Sequence, residues 1–138
     1  MEKKAIITIS SIQGDKEEDS IQVVTPGIFY LKDDFYCAVY EETEISGMQG
    51  TTTTLKIKPE ELILLREGTT NANMHFVCGE NNLSMYDTPY GTLKMEVDTK
   101  EINIDVNEKG GSISVKYDMN ISGQMVSETS LDINIKLQ

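Results

Sequence analysis

Met85-Tyr-Asp-Thr-Pro-Tyr-Gly-Thr-Leu-Lys-Met-Glu-Val-Asp98 is a turn that runs straight into a strand. In Thr88-Pro89-Tyr90-Gly91, Pro stands where a type I turn needs φ of about −65°, and Gly takes the last turn position. Behind it, Leu93, Met95 and Val97 alternate with Lys94, Glu96 and Asp98. A side-chain period of two puts the apolar residues on one face of a sheet and the charges on the other. The segment predicts a half-buried antiparallel strand, joined by a tight corner to its neighbour and fixing the register around it.

The same plan recurs on both sides. Toward the C-terminus, Ile102, Ile104 and Val106 alternate with Asn103 and Asp105, and Lys109-Gly110-Gly111 supplies a hairpin turn. Ile113 to Ile121 and Leu131 to Leu137 alternate in the same way. Toward the N-terminus the strands predicted are residues 4–13, 20–31, 35–43 and 51–58, then 74–78 and 83–87. Gly14 to Asp19 reads as a charged turn, Asp33-Asp34 as a short one, and Ile45 to Gly50 as a loop. Within 20–31, Pro26 removes a ladder donor and Gly27 marks a bulge or corner.

Only residues 59–68 invite a helix. Pro59 at its start, the acids after it and Gly68 at its end all suit one. Two turns are marginal for an isolated helix, and the flanking segments are strands. The preferred reading is a turn at Pro59-Glu60 and a strand over Leu62–Glu67.

About ten strands, with turn signals every 8–12 residues or so, predict an all-β fold. Connections short enough for hairpins make it a meander, and a meander with one apolar face best removes its edges by closing into a barrel. The expected architecture is a single closed β-barrel domain over residues 1–138, without internal repeat or linker. The earlier strands are apolar on both faces, as in Ile6 with Ile7, Val23 with Val24, and Leu62 and Leu64 with Ile63 and Leu65. Such strands are covered on both sides, so a homodimer through the N-terminal half is expected.

Composition narrows the partners. With 23 acidic against 12 basic residues the net charge is −11, which argues against nucleic acid and anionic membrane. The start, Met1 to Ile12, puts two lysines before an apolar run, but Thr8, Ser10 and Ser11 interrupt it and an acidic cluster follows. No segment has the length of a membrane span. Cys37 and Cys78, far apart, read as free thiols of a cytoplasmic protein, in the commonest case small buried apolar residues.

Several of these residues form a pattern. Tyr40-Glu41-Glu42, the threonines 51–54, Leu64-Leu65-Arg66-Glu67-Gly68, Phe76, Tyr86-Asp-Thr-Pro-Tyr-Gly91 and Tyr117 resemble the YwiB-like family, a bacterial family of unknown function. The resemblance spans essentially the whole chain. It implies a calycin-like barrel, similar in architecture to lipocalins and fatty-acid-binding proteins, and it carries over no catalytic residues.

The residues offer little for catalysis. His75 is the only histidine, and Cys78, at an odd offset, is directed to the opposite face of the strand. Structural zinc takes four Cys or His ligands and the chain has three such residues. No calcium loop, phosphate loop or dinucleotide fingerprint occurs. The reading is therefore no catalytic residues, no metal and no cofactor.

Arg66, the only arginine, shares parity with Leu62 and Leu64, and faces inward if they do. An interior guanidinium must meet a carboxylate, from this chain or from a ligand. Either Glu41 or Glu42 points inward, depending on how their strand is phased. The third arrangement has Leu65 inside and Arg66 in solvent. Tyr86, Tyr90 and Tyr117 suit either core packing or a pocket rim. Met74, Met85, Met95, Met119 and Met125 suit an adaptable apolar interior.

The leading expectation is a non-enzymatic barrel that binds a small, partly apolar ligand, with an anionic head at Arg66. Candidate ligand-binding residues are Arg66, Glu41, Glu42, Tyr86, Tyr90 and Tyr117. The alternative is a structural or interaction barrel with a filled core, acting as a homodimer.

Overall fold

The computed structural model describes residues 2–13, 20–46 and 48–138. The charged turn expected over Gly14 to Asp19 lies outside them. Ten strands follow in order: β1 Lys3–Gln13, β2 Ser20–Lys32, β3 Phe35–Glu41, β4 Thr51–Lys58, β5 Glu61–Gly68, β6 Ala72–Val77, β7 Asn81–Thr88, β8 Gly91–Asn107, β9 Gly110–Ile121 and β10 Gln124–Leu137. A 3-10 turn, Glu44–Ser46, interrupts the loop between β3 and β4. The helix-competing stretch is a strand, with its turn at residues 59–60.

The strands form one antiparallel sheet in the order β6-β5-β4-β3-β2-β1-β10-β9-β8-β7. Every hairpin neighbour pairs except β6 with β7, and the ring is drawn round by β1 pairing with β10 from Ala5↔Leu137 to Gln13↔Thr129. The barrel is nearly closed. Along the β6–β7 seam, Asn71 and Asp87 exchange backbone hydrogen bonds at one end. At the other end residues 78–80 link β6 directly to β7, and this link extends the β7–β8 pairing: the Gly79 N–H donates to the Thr99 carbonyl, 2.9 Å, and the Thr99 N–H to the Glu80 carbonyl, 3.1 Å. Between the two ends the Asn82 side-chain amide of β7 donates to the His75 carbonyl of β6 at 3.2 Å.

Alternation dictates what faces inward. Ala5 and Ile7, Ala38 and Tyr40, Leu55 and Ile57, Leu62 and Leu64, Met74 and Phe76, Ile113 and Val115, and Ile133 and Ile135 are all buried in one core. Most residues on the other face of these strands are half-buried or exposed, as the polar alternation of β9 and β10 requires, and Cys37 on β3 is a buried exception.

Two expected strands, 93–98 and 102–106, prove to be one. β8 runs for 17 residues, with a bulge between Thr99 and Glu101 that shifts the register against β9. One extra residue moves the inward set from odd to even positions, so Met95 and Val97 and then Ile102 and Ile104 all reach the core. The alternation expected over Leu131 to Leu137 extends back: β10 begins at Gln124, after a turn in which Ser122 (φ 54°) and Gly123 (φ 83°) are both left-handed. Such a turn matches the strands' own twist, and the Asp33-Asp34 turn (φ 51° and 69°) follows the same rule. Cys78 does not continue the inward face of Met74 and Phe76. The strand has ended at Val77, and Cys78 lies exposed in a turn.

The Thr88-Pro-Tyr-Gly91 corner is as expected. The Thr88 hydroxyl accepts from the Tyr90 N–H, 3.1 Å, and donates to the Gly91 carbonyl, 2.9 Å. Gly91 has φ 133°, and a Cβ there would meet no atom within 4 Å. Only backbone strain opposes a side chain at this point. Gly91→Val should therefore cost about 1–2 kcal/mol in a urea titration, without altering the barrel interior.

Pro26 and Gly27 make no bulge against β1, whose register runs through both without a shift, and the ladder lost beside them is the one to β3. The β2–β3 pairing runs from Lys32↔Phe35 only as far as Ile28↔Val39. Beyond it residues 20–27 keep β1 on one side, with no ladder on the other among the described residues.

Candidate functional site

One half of the barrel interior is packed solid. Phe29, Leu55, Ile57, Leu62 and Phe76 are fully buried there, toward the turn at residues 59–60. Phe76 lies against Tyr117, ring centroids 4.9 Å apart and tilted by 58°. The other half holds a cavity of about 300 Å³. Its apolar walls include Ile9, Leu64, Met74, Met95, Met119, Leu131 and Ile133, and its rim includes Gln13, Ile21 and Ile121. That volume is at the lower end of small-molecule sites, on the order of ten waters.

Arg66 reaches this cavity because β5 places it in phase with Leu62 and Leu64. The arrangement with Arg66 in solvent is thereby ruled out: its side chain is only 18% exposed. Facing it is Glu42, whose side chain is 4% exposed, with Arg66 Nε 3.6 Å from Glu42 Oε2. The same carboxylate oxygen accepts a 2.6 Å hydrogen bond from the Thr53 hydroxyl. Glu42 follows the inward parity of Ala38 and Tyr40, just past the end of β3, while Glu41 is exposed.

The pairing is loose. Arg66 Nε is buried without a hydrogen-bond partner, and Nη1 lies 4.0 Å from the Met74 sulfur. A guanidinium has five N–H donors in a planar fork, so this one keeps donor capacity beside the cavity it lines. Arg66 and Glu42 are the only charged residues on the cavity wall among those described.

Two phenols complete the polar side. Burial pushes the Tyr40 hydroxyl well above its ordinary pKa of 10.0, and the Glu42 charge adds to this, while Arg66 and the hydrogen bond with Thr53 pull it back. Burial also raises Tyr117, against Arg66 and Thr129. Both are therefore neutral donors at any physiological pH. Because the folded state holds their protons more tightly, their contribution to stability is complete below pH 10 and is lost as pH rises from there through the folded values. In an ultraviolet titration of the six tyrosines, the last to ionise should do so together with unfolding.

Of the candidate residues, the structure brings Arg66, Glu42, Tyr86 and Tyr117 to one cavity. Glu41 and Tyr90 are not among them; Glu41 faces an outer groove, and Tyr90 is 99% exposed at the tip of its corner. Pro89 fixes that corner, and the residue after it is carried away from the sheet. Tyr40 and Thr53 were not singled out, although Tyr40 has the parity of Glu42, and Thr53 is the residue opposite Arg66 in the ladder. Of the methionines, Met74, Met95 and Met119 line the cavity and Met85 points outward. The Met125 side chain lies outside the described residues.

His75 is half-exposed on the outer face and pairs with Glu61, while the Cys78 sulfur approaches the Lys100 carbonyl at 3.4 Å. Among the described residues, no three His, Cys, Asp or Glu side chains come together to hold a metal.

The arrangement can be set beside known proteins. Residues 6–133 match the family described as "Domain of unknown function (DUF1934)". The chain is 30% identical over 128 residues to the "Uncharacterized beta-barrel protein YwiB" of Bacillus subtilis (strain 168), covering 90% of this chain and 88% of that protein. The crystal structure of that ywiB protein superposes with a TM-score of 0.85 at 25% identity, covering 99% of this chain and 93% of the other. Both sequence and architecture thus agree along nearly the full length, and the chain belongs to the DUF1934 family of β-barrel proteins.

Proposed function

We propose that this protein is a cytoplasmic, non-catalytic binding barrel that holds a small, partly apolar molecule in the cavity beside Arg66. The observation that carries the reading is a largely buried guanidinium whose Nε lacks a hydrogen-bond partner, set in an apolar, methionine-rich wall. A buried polar group without a partner costs on the order of 1–3 kcal/mol, and a ligand acceptor would remove that cost. The body of the ligand would rest on Met74, Met95, Met119 and Leu131, and its head would meet Arg66, Glu42 and the two phenols. The free thiols of Cys37 and Cys78 suit a reducing compartment.

Native mass spectrometry of the protein purified from its own host tests this. A retained small molecule is expected, and it should be lost from Arg66→Gln. A barrel that always emerges at its bare chain mass would sink the reading.

A second reading, an interaction barrel that dimerises, is favoured by β2. Residues 20–27 offer an unladdered edge, and beside it Val24 is 63% and Ile28 40% exposed. Two copies could pair these edges antiparallel, covering Val24 and Ile28 with their counterparts. Light scattering at micromolar concentration should then give twice the chain mass; a monomer mass would exclude it.

A further inference from the structure

Glu42 changes what the cavity can accept. An arginine alone in an apolar pocket selects an anion, but this one already faces a carboxylate 3.6 Å from its Nε. No other charged side chain lines the cavity among the described residues. The polar wall is thus a cation and an anion side by side, with no net charge.

A carboxylate ligand entering here would gain Arg66 and meet Glu42 at the same time. It would leave one negative charge in excess inside the barrel, in a chain that already carries −11. An ammonium ligand would gain Glu42 and meet Arg66, leaving one positive charge in excess. Desolvation penalises both complexes, since an uncompensated buried charge is costly whatever its sign.

A neutral head group avoids both penalties. Arg66 lines the cavity with an Nε–H that lacks a partner, and the Glu42 carboxylate, held on one oxygen by Thr53, supplies an acceptor next to it. A head with an acceptor adjacent to a donor satisfies the two together. Amides have this pattern, with a carbonyl for Arg66 and an N–H for Glu42; lactams and ureas share it. Tyr40 and Tyr117 stay uncharged beside them and add no charge of either sign.

Resting on the binding reading above, we propose that the ligand of this barrel is an electrically neutral amide-type molecule with a short apolar tail, selected by the Arg66–Glu42 pair. The head group expected from Arg66 alone, an anion, is replaced by a neutral one because Glu42 faces inward.

Isothermal titration of the whole chain with octanamide, octanoate and octylammonium at neutral pH tests this, because the three probes share a tail and differ in head charge. Octanamide should bind at least tenfold more tightly than either ion. In Glu42→Gln, which keeps an acceptor for Thr53 and leaves Arg66 uncompensated, octanoate should overtake octanamide. Octanoate binding as tightly as octanamide to the wild type would overturn the inference while leaving the binding reading intact. So would octylammonium doing the same, or a Glu42→Gln variant with an unchanged order of preference. If none of the three probes binds the wild type, the inference fails together with the reading beneath it. The wild-type comparison decides by itself if Glu42→Gln does not fold.

Discussion

Gly111→Ala should abolish folding of this barrel at ambient temperature, or cost about 4 kcal/mol or more if a folded population survives. Gly111 has φ 148° and stands in the ladder between Val106 on β8 and Ile135 on β10. A Cβ there would collide with the Asp105 carbonyl oxygen and come within 2.8 Å of the Val106 Cα. Both are backbone atoms of a paired strand, so no side chain can turn aside to make room. Relief requires β8 and β9 to part at their hairpin, at the end of the longest strand of the molecule. Circular dichroism and a urea titration check the outcome, with Gly91→Val as the control for backbone strain without collision. A Gly111→Ala protein as stable as Gly91→Val would refute the close-approach argument.

Arg66→Met should cost about 2–3 kcal/mol, less than the roughly 3–5 kcal/mol typical of a broken buried pair, because Arg66 keeps some contact with solvent. Methionine fills similar volume against Met74 and Leu64, so little packing is lost. The loss comes from Glu42, a nearly fully buried carboxylate that would keep the Thr53 hydroxyl but lose its cation. If that is the cause, Glu42→Gln introduced into the same chain should return at least half of the lost stability. Urea midpoints of the two single variants and the double variant form the required cycle. Additive losses would show that the two side chains do not act as a pair.

The architecture was legible because alternation is a local signal with a global consequence. Once Leu93, Met95 and Val97 have a face, their neighbours in the hairpin must share it. The parity of Arg66 with Leu62 and Leu64 was readable for the same reason, and so was the conflict between Glu41 and Glu42. What that strand could not reveal was its own phase, since Tyr36, Ala38 and Tyr40 are as apolar as Cys37 and Val39. The ladder settled it by setting Tyr40 opposite Thr53, a residue buried inside the barrel. The bulge in β8 was written in the shift from odd to even apolar positions, but the polar run Asp98-Thr-Lys-Glu101 resembles a turn more than a strand. The beginning of β10 was hidden because Ser127, Glu128 and Ser130 lack the β-rich character of the residues that follow. The cavity had no sequence signal. It arises where Met74, Met95 and Met119 meet Arg66 without filling the space between them, and that depends on packing in three dimensions.

The seam between β6 and β7 gives the molecule a different topological character from a true ring. Nine ladders join ten strands, so the sheet is a ribbon whose two ends are clasped together. One end of the seam is held by the short chain link of residues 78–80 and the other by the Asn71–Asp87 pair of backbone hydrogen bonds, and opening that pair would leave every ladder of the sheet intact. The ribbon can therefore unroll locally at a cost below that of global unfolding. Unrolling would convert β6 and β7 into free edges. β7 already carries Leu83 and Met85 outward, more than half exposed, beside that edge. Strand edges flanked by apolar side chains are templates for misassembly. The Asn71–Asp87 contact is thus a safeguard against aggregation as much as a support for the fold, and once it opens this chain should associate wrongly along β7.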